Sequence, residues 1–168
     1  MQWSSDDATS SEKSWLPLHP NYKLKNVQDQ LEDSRSHLNI FRNLVELRKS
    51  LPVLQWGSLN MIKVDQQIIS FTRSAYDFPT YLVVMNLSDK NVNANLLVST
   101  DIAPRAYVVY YVPGRPKTQT KAETIDKETM KEAEMDLIET YKKGAAILTK
   151  NVFLKSYDYL IVTWYSTN

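Results

Sequence analysis

The stretch YLVVMNLSDKNVNANLLV, residues 81–98, decides the fold class of this chain. Its first part is rich in aliphatic residues, and in its second part Val92, Ala94 and Leu96 alternate with asparagine. An alternation of period two is typical of a half-buried strand. Residues 88–90, which separate the two parts, are Ser, Asp and Lys and favour a turn. The stretch therefore predicts two consecutive strands.

The same pattern recurs on both sides of this stretch. About seven short strands at close spacing indicate an antiparallel β-sandwich. The predicted strands are 61–64, 67–73, 81–87, 92–98, 106–112, 152–154 and 159–165.

Upstream of the strands the apolar residues recur at helical spacing. Residues 36–50 carry two adjacent apolar stripes, which predict a helix with a wide packing face. Asp33, Ser34 or Ser36 can accept hydrogen bonds from the first free amides of this helix. Pro52 is expected to stop it.

Two segments lack a clear strand pattern. Residues 1–35 are expected to be irregular, because the stretch 15–22 contains two prolines that disfavour helix and impose an extended path. The charged insertion 115–143 predicts a loop followed by a helix with Leu137 and Tyr141 on its apolar face. Gly144 then suits the left-handed residue that ends a helix.

The composition excludes several classes of function. The 168 residues include 20 basic and 19 acidic side chains, for a net charge of +1. This balance argues against a nucleic-acid binder or a polybasic membrane-surface protein. The chain has no cysteine, so disulfides, thiolate metal sites and cysteine nucleophiles are excluded within it. Its longest apolar runs fall well short of the roughly twenty residues that a membrane span needs.

The residues that carry chemistry in enzymes are sparse and isolated. His19 and His37 have no evident partner, which favours structural roles. Asp6 and Asp7 are neighbours in a polar loop, whereas the acids of a glycosidase must face each other across the substrate. The chain has no nucleophile elbow and no glycine-rich phosphate loop. The sequence therefore predicts no catalytic residue, no metal site and no cofactor.

Two further groups of residues leave alternatives open. Trp3, Trp15 and Trp56 have flat apolar faces that can stack on sugar rings, but such side chains more often anchor loops to a core. Asn86-Leu87-Ser88 matches the acceptor pattern for N-glycosylation, although the same tripeptide also suits a turn at the end of a strand.

Several motifs follow one another in the order found in a known family. They are MQW at 1–3, SWLPLHPNY at 14–22, QDQ at 28–30, SHLN at 36–39, LVELRK at 44–49 and PVL at 52–54. In these motifs the chain resembles the α-glucosidase (maltase) branch of the α-amylase superfamily, glycoside hydrolase family 13. The heavy-chain subunits of heteromeric amino-acid transporters share similar motifs.

The resemblance implies a mixed, mainly β architecture in two parts. Residues 1–51 would be the carboxy-terminal end of a (β/α)8 barrel. Residues 52–168 would be an antiparallel β-sandwich domain with the charged insertion at 115–143. Gln2 and Trp3 would border the substrate pocket.

The catalytic aspartates and glutamate of the family lie upstream of the Met-Gln-Trp motif. This chain would therefore lack them and would need the missing upstream barrel as its partner. The implied activity of an active parent is hydrolysis of α-glucosidic bonds in an oligosaccharide.

One departure from the family pattern favours a different class of parent. Members of the family usually follow Met-Gln-Trp with Asp and an Ala-Gly-Phe segment, whereas this chain continues Ser4-Ser5-Asp6-Asp7. The alternative parent is a non-enzymatic transporter heavy chain with a membrane light-chain partner. Both parents would be secreted or membrane-anchored with an extracellular domain.

Overall fold

The structure is a computed structural model that describes residues 2–6, 18–114 and 135–165. It divides into two compact units, Met1–Ser50 and Leu51–Asn168. They are called here the amino-terminal unit and the sandwich unit, and each is described by itself. No helix in the described part of the chain is long and apolar enough to cross a membrane.

The described residues of the amino-terminal unit form three helical elements. They are a 3-10 turn at Pro20–Lys23, α1 at Val27–Glu32 and α2 at His37–Ser50. The predicted helix over 36–50 is confirmed as α2. Of the three predicted caps, Ser36 accepts a hydrogen bond through Oγ from the Asn39 amide at 3.1 Å.

The expectation that residues 1–35 are irregular is wrong for two of these elements. Pro20 does not exclude the 3-10 turn, because in the first turn of a helix no amide hydrogen is needed and the fixed φ of proline fits. α1 is short, but it has a strong cap. Asn26 Oδ1 accepts from the Asp29 amide at 2.9 Å, and Asn26 Nδ2 donates to Asp29 Oδ2 at 2.8 Å.

The sandwich unit begins with α3, Pro52–Trp56, and continues with strands in two sheets. The strands are β1 Ser58–Val64, β2 Ile68–Ser74, β3 Thr80–Asn86, β4 Val92–Ala94, β5 Arg105–Val112, β6 Ala146–Leu148, β7 Val152–Leu154 and β8 Tyr159–Trp164. The larger sheet has the order β1-β2-β3-β8-β5-β6, and β4 pairs with β7 in the smaller one. All the strand pairs are antiparallel, so the predicted mainly β, antiparallel architecture is confirmed.

The core of the sandwich unit comes from the alternate residues that face inwards. Ile68, Leu82 and Val84 from the larger sheet are fully buried, as are Val152 and Leu154 from the smaller one. Burial of this apolar surface supplies most of the favourable free energy of folding. The guanidinium of Arg73 on β2 also ties this strand to α3, since Nη2 donates to the carbonyl oxygens of both Leu54 and Gln55 at 3.2 Å.

The structure adds to or corrects the sequence predictions at three places in the sandwich unit. Pro52 begins α3 at its first turn and does not merely end α2. The predicted strand 92–98 ends at Ala94, because the Leu96 amide donates to the Thr149 carbonyl instead of continuing the β4–β7 pairing. Leu96 is nevertheless fully buried, which explains why its position fitted the strand pattern. β6, which follows the charged insertion, was not predicted.

The charged insertion is described only at its carboxyl end. Residues 115–134 lie outside the described residues, and residues 135–140 are helical. Tyr141 is buried, and its phenol donates to the Phe153 carbonyl at 2.7 Å. Gly144 has a φ of +86°, in agreement with the predicted left-handed conformation.

Candidate functional site

The segment of Gln2 and Trp3 is fixed by its main chain to the start of α1. The Gln2 carbonyl accepts from the Val27 amide, and the Trp3 carbonyl accepts from the Gln28 amide, both at 2.9 Å. The first amides of a helix have no partner within the helix itself. The two carbonyls therefore supply partners for the first turn of α1, and α1 fixes the path of the segment.

The Gln2 side chain is held by the residues around the 3-10 turn. Its Nε2 donates to the His19 carbonyl at 3.2 Å and to Asn21 Oδ1 at 3.1 Å. The same Asn21 oxygen lies 2.6 Å from His19 Nδ1. His19 thus has the structural role predicted for it, because its ring and its carbonyl both help to position the amides of Gln2 and Asn21.

Of the three tryptophans, Trp3 and Trp56 lie among the described residues, and their side chains are exposed to the same extent. The Trp3 side chain is 60% exposed, so a large part of its surface is accessible in the amino-terminal unit. Trp56 packs edge-on against Phe78, with the ring centroids 5.4 Å apart and the planes at 90°. This contact agrees with the anchoring role for Trp56. Trp15 lies outside the described residues.

The junction between α1 and α2 explains two of the sequence motifs. Asn39 Nδ2 donates to the carbonyls of Gln30, Leu31 and Asp33 at 2.9, 3.1 and 2.9 Å. Ser36 Oγ donates to the Gln30 carbonyl at 2.5 Å. These bonds satisfy carbonyls at the end of α1 that have no helical partner. QDQ and SHLN are therefore structural motifs, which hold α1 and hence the segment of Gln2 and Trp3.

Two carboxylates of this unit serve local structure. Asp29 binds the Asn26 amide group, and Asp33 Oδ1 accepts from the Arg35 amide at 2.9 Å. His37 is the first residue of α2. Within residues 2–6, 18–114 and 135–165, no group of three or more His, Asp or Glu side chains could hold a metal ion.

Asn86, the predicted glycosylation acceptor, is fully buried at the end of β3. Its Nδ2 donates to the carbonyls of Lys90 and Lys155 at 2.7 and 2.8 Å. Its Oδ1 accepts from the Ser88 amide at 3.0 Å and from Ser88 Oγ at 2.7 Å. A glycan on Nδ2 would break at least one buried hydrogen bond and would have no room, so we no longer expect one on the folded chain.

Comparison with known proteins identifies the family of the chain. The model of the α-amylase catalytic domain matches residues 1–57. Maltase A1 of Drosophila melanogaster is 30% identical over 136 residues, which cover 79% of this chain and 22% of the maltase. The chain belongs to the α-amylase family, glycoside hydrolase family 13. It thus spans about a fifth of the length of this relative.

Other α-amylase family members agree with this assignment. The oligo-1,6-glucosidase of Parageobacillus thermoglucosidasius is 32% identical over 93 residues, or 54% of this chain and 16% of the relative. The crystal structure of isomaltulose synthase from Erwinia rhapontici NX5 matches with a TM-score of 0.66 at 21% identity, covering 96% of this chain and 24% of that one. The structural similarity shows that the fold is shared.

The sequence carries a signal for the cap of α1 that apolar periodicity does not reveal. Asn26 stands three residues before Asp29, a spacing at which the two side chains can cap a helix reciprocally. The anchoring of the Gln2 and Trp3 carbonyls has no such signal. It depends on main-chain groups that are far apart in the sequence, which a side-chain pattern cannot reveal.

Proposed function

We propose that this α-amylase family chain is the carboxy-terminal portion of an α-glucosidase of the maltase type. The observation that carries the proposal is the similarity to Maltase A1, which extends over 79% of the chain. The parent reaction is retaining hydrolysis of an α-glucosidic bond by two carboxylates about 5 Å apart. Both carboxylates belong to the barrel upstream of Met1, and the substrate is an oligosaccharide.

In this proposal residues 1–51 complete a (β/α)8 barrel, and residues 52–168 form the sandwich domain with the insertion at 115–143. The match of the catalytic-domain model to residues 1–57 and the division of the structure after Ser50 both support this assignment. The upstream barrel is the partner on which the apolar stripes of α2 would pack.

Gln2 and Trp3 border the substrate pocket of the parent enzyme and take no part in proton transfer. The Trp3 indole is exposed and has a flat apolar face, which suits stacking on a pyranose ring. Gln2 keeps the segment in place through its bonds to His19 and Asn21. The contribution of this chain to catalysis is therefore the positioning of substrate.

The test compares this chain with the longer polypeptide that contains it. Both are incubated with maltose and with 4-nitrophenyl α-glucoside. We expect turnover by the longer polypeptide and none by the chain alone, because the catalytic carboxylates lie upstream. Turnover by the chain alone, or an inactive longer polypeptide that folds, would contradict the proposal.

The second candidate is the ectodomain of a transporter heavy chain. Ser4-Ser5-Asp6-Asp7, which replaces the usual pocket segment after Met-Gln-Trp, favours it. The relatives reported above are enzymes, which favours the first candidate. A longer polypeptide that is inactive on both substrates but co-purifies with a membrane transporter subunit would establish the second.

A further inference from the structure

A groove of about 650 Å3 crosses one face of the larger sheet within the sandwich unit, from β1 and β2 to the start of β3 and the residue after β8. Its floor consists of polar side chains that face each other across β1 and β2. Ser58 is paired with Ser74, and Asn60 with Thr72. Hydroxyl and amide groups of this kind both donate and accept hydrogen bonds. The floor therefore suits a ligand that is itself rich in donors and acceptors.

Aromatic side chains border the groove. Tyr76 and Phe78 come from the turn between β2 and β3, and Tyr165 follows β8. Tyr76 is 91% exposed and Tyr165 is 76% exposed, while Phe78 is held by its edge-on contact with Trp56. Exposed aromatic faces beside polar groups suit a ligand that has both flat apolar faces and polar edges.

The charged residues of the groove indicate which class of ligand it can bind. Asp77 and Asp101 line it, and none of its lining residues is a lysine or an arginine. Phosphates, nucleic acids and other anions would be repelled, because the described lining offers no cation to bind them. Carboxylates accept hydrogen bonds well from neighbouring hydroxyls of an uncharged ligand.

We propose that this groove binds a neutral oligosaccharide. A pyranose ring has an apolar face for Tyr76 or Tyr165, and its hydroxyls match the carboxylates, hydroxyls and amide of the groove. The volume is sufficient for about two sugar rings. The site lies on the sandwich unit and differs from the pocket that we propose at Gln2 and Trp3. That the sugar consists of α-linked glucose units rests on the proposed function, whereas the class of ligand rests on the groove itself.

The test is a titration of the whole chain with maltoheptaose, followed by the amide signals in two-dimensional NMR and by calorimetry. We expect a dissociation constant on the order of millimolar, as is usual for a small open site. The shifted amides should belong to 58–62, 72–80 and the surroundings of Asp101 and Tyr165. Tyr76→Ala and Tyr165→Ala should each weaken binding about tenfold.

Tyr107→Ala is the matched control, because Tyr107 is 51% exposed on β5 and does not line the groove. It should leave binding unchanged. The proposal is overturned by the absence of binding, by equal binding of all three variants, or by shifts confined to the amides around Trp3. Binding of a lysine oligopeptide but of no sugar would also overturn it, since the carboxylates would then define a cationic ligand.

The two proposals can fail separately. If the longer polypeptide hydrolyses no glucoside but this chain binds maltoheptaose at Tyr76 and Tyr165, only the proposed function fails. If hydrolysis is observed and the chain binds no maltoheptaose, only the groove fails. A titration with cellohexaose separates the linkages, and a preference for it would overturn the assignment of α-linked glucose.

Discussion

The phenol of Tyr111 donates a hydrogen bond to Oδ2 of Asp158, 2.8 Å away and 47 residues further along the chain. Asp158 is fully buried. Its Oδ1 accepts from the Gly114 amide at 2.7 Å, and its Oδ2 also accepts from the Lys155 amide at 2.8 Å. Three donors thus satisfy one buried carboxylate, which joins β5, the residues after it and the turn before β8.

We expect Asp158→Asn to destabilise the sandwich unit by about 2–4 kcal/mol, because the amide group would direct a donor at one of these three donors. Urea unfolding followed by circular dichroism measures the change. Tyr111→Phe removes only one donor and should cost about 1–2 kcal/mol. An Asp158→Asn variant as stable as the parent would mean that the carboxylate is not the centre of this network.

A pair of buried hydroxyls predicts opposite effects of similar substitutions. Ser70 and Thr149 are both fully buried. Ser70 Oγ has no hydrogen-bond partner among the described residues, whereas Thr149 Oγ1 donates to the Ala103 carbonyl at 2.6 Å. Ser70→Ala should therefore raise the unfolding free energy by about 1 kcal/mol, and Thr149→Val should lower it by about 1–2 kcal/mol. Thermal melts of the two variants and the parent chain measure both changes in stability. A loss of stability in Ser70→Ala would reveal a partner for this hydroxyl.

In the amino-terminal unit the decisive side chain is Asn39, with its bonds to the end of α1. Asn39→Ala removes one donor from each of the three carbonyls and should cost about 1–3 kcal/mol, although Gln30 keeps Ser36 Oγ and Asp33 keeps the Ser36 amide. Amide hydrogen exchange should quicken throughout Val27–Glu32. Arg42→Ala on the exposed side of α2 is the control and should leave the exchange rates of α1 unchanged. Equal rates in both variants would show that other contacts hold the junction.

Asn86 predicts the outcome of expression in a eukaryotic secretory host. We expect native chain without a glycan at this residue, because both hydrogens of its amide are engaged inside the fold. The measurement is peptide mapping after digestion with a glycosidase. Ser88→Ala, which destroys the acceptor pattern, serves as the reference for an unmodified peptide. A glycan on the soluble, folded protein would contradict the buried position of Asn86.

Tyr141 predicts how stability depends on pH in alkali. Burial raises the pKa of its phenol, the hydrogen bond to the Phe153 carbonyl lowers the pKa, and the charge of Asp158 raises it. Because the net shift is upwards, the folded chain prefers the protonated phenol. Its contribution is complete below the unfolded pKa of about 10 and is lost as the pH rises through the folded pKa.

We therefore expect the unfolding free energy of the parent chain to fall as the pH rises above about 10, the unfolded pKa of a tyrosine. The fall should be smaller in Tyr141→Phe, although this variant is less stable at neutral pH because it lacks the hydrogen bond. Urea titrations at several pH values measure both effects. Parallel pH curves for the two chains would show that folding does not shift the pKa of Tyr141.

Local periodicity was sufficient to predict most of the fold. The two stripes of α2 and the runs of aliphatic and aromatic residues in β2, β3, β5 and β8 extend over many residues, so each pattern is supported by several side chains. α3, β6 and the 3-10 turn have five residues or fewer, too few for a period to be visible. The strand predicted over 95–98 was wrong. Leu96 lies in a loop after β4, but its side chain is fully buried, so its position in the sequence fits the spacing of a strand.

The candidate sites were less accessible to prediction for a related reason. Motif order indicated Gln2 and Trp3, but the groove joins residues from β1, β2, the turn at 75–78 and the end of β8. No linear spacing connects these segments before the antiparallel pairing is known. At Asn86 the sequence pattern indicated a site that the fold does not offer. Its tripeptide matches the glycosylation pattern, but its amide is engaged by the carbonyls of Lys90 and Lys155, and the second of these is far away in the sequence.

The carbonyls of Gln2 and Trp3 are what fasten this segment to α1, and a carbonyl is the same whichever side chain its residue bears. Evolution can therefore exchange the side chain at position 3 and leave the main-chain path nearly unchanged. Asn26 and Asn39, which lie outside the pocket that we propose, carry the structural constraint instead. In the α-glucosidase proposed here, a change of substrate preference could arise at position 3 by single substitutions that leave these two main-chain hydrogen bonds in place.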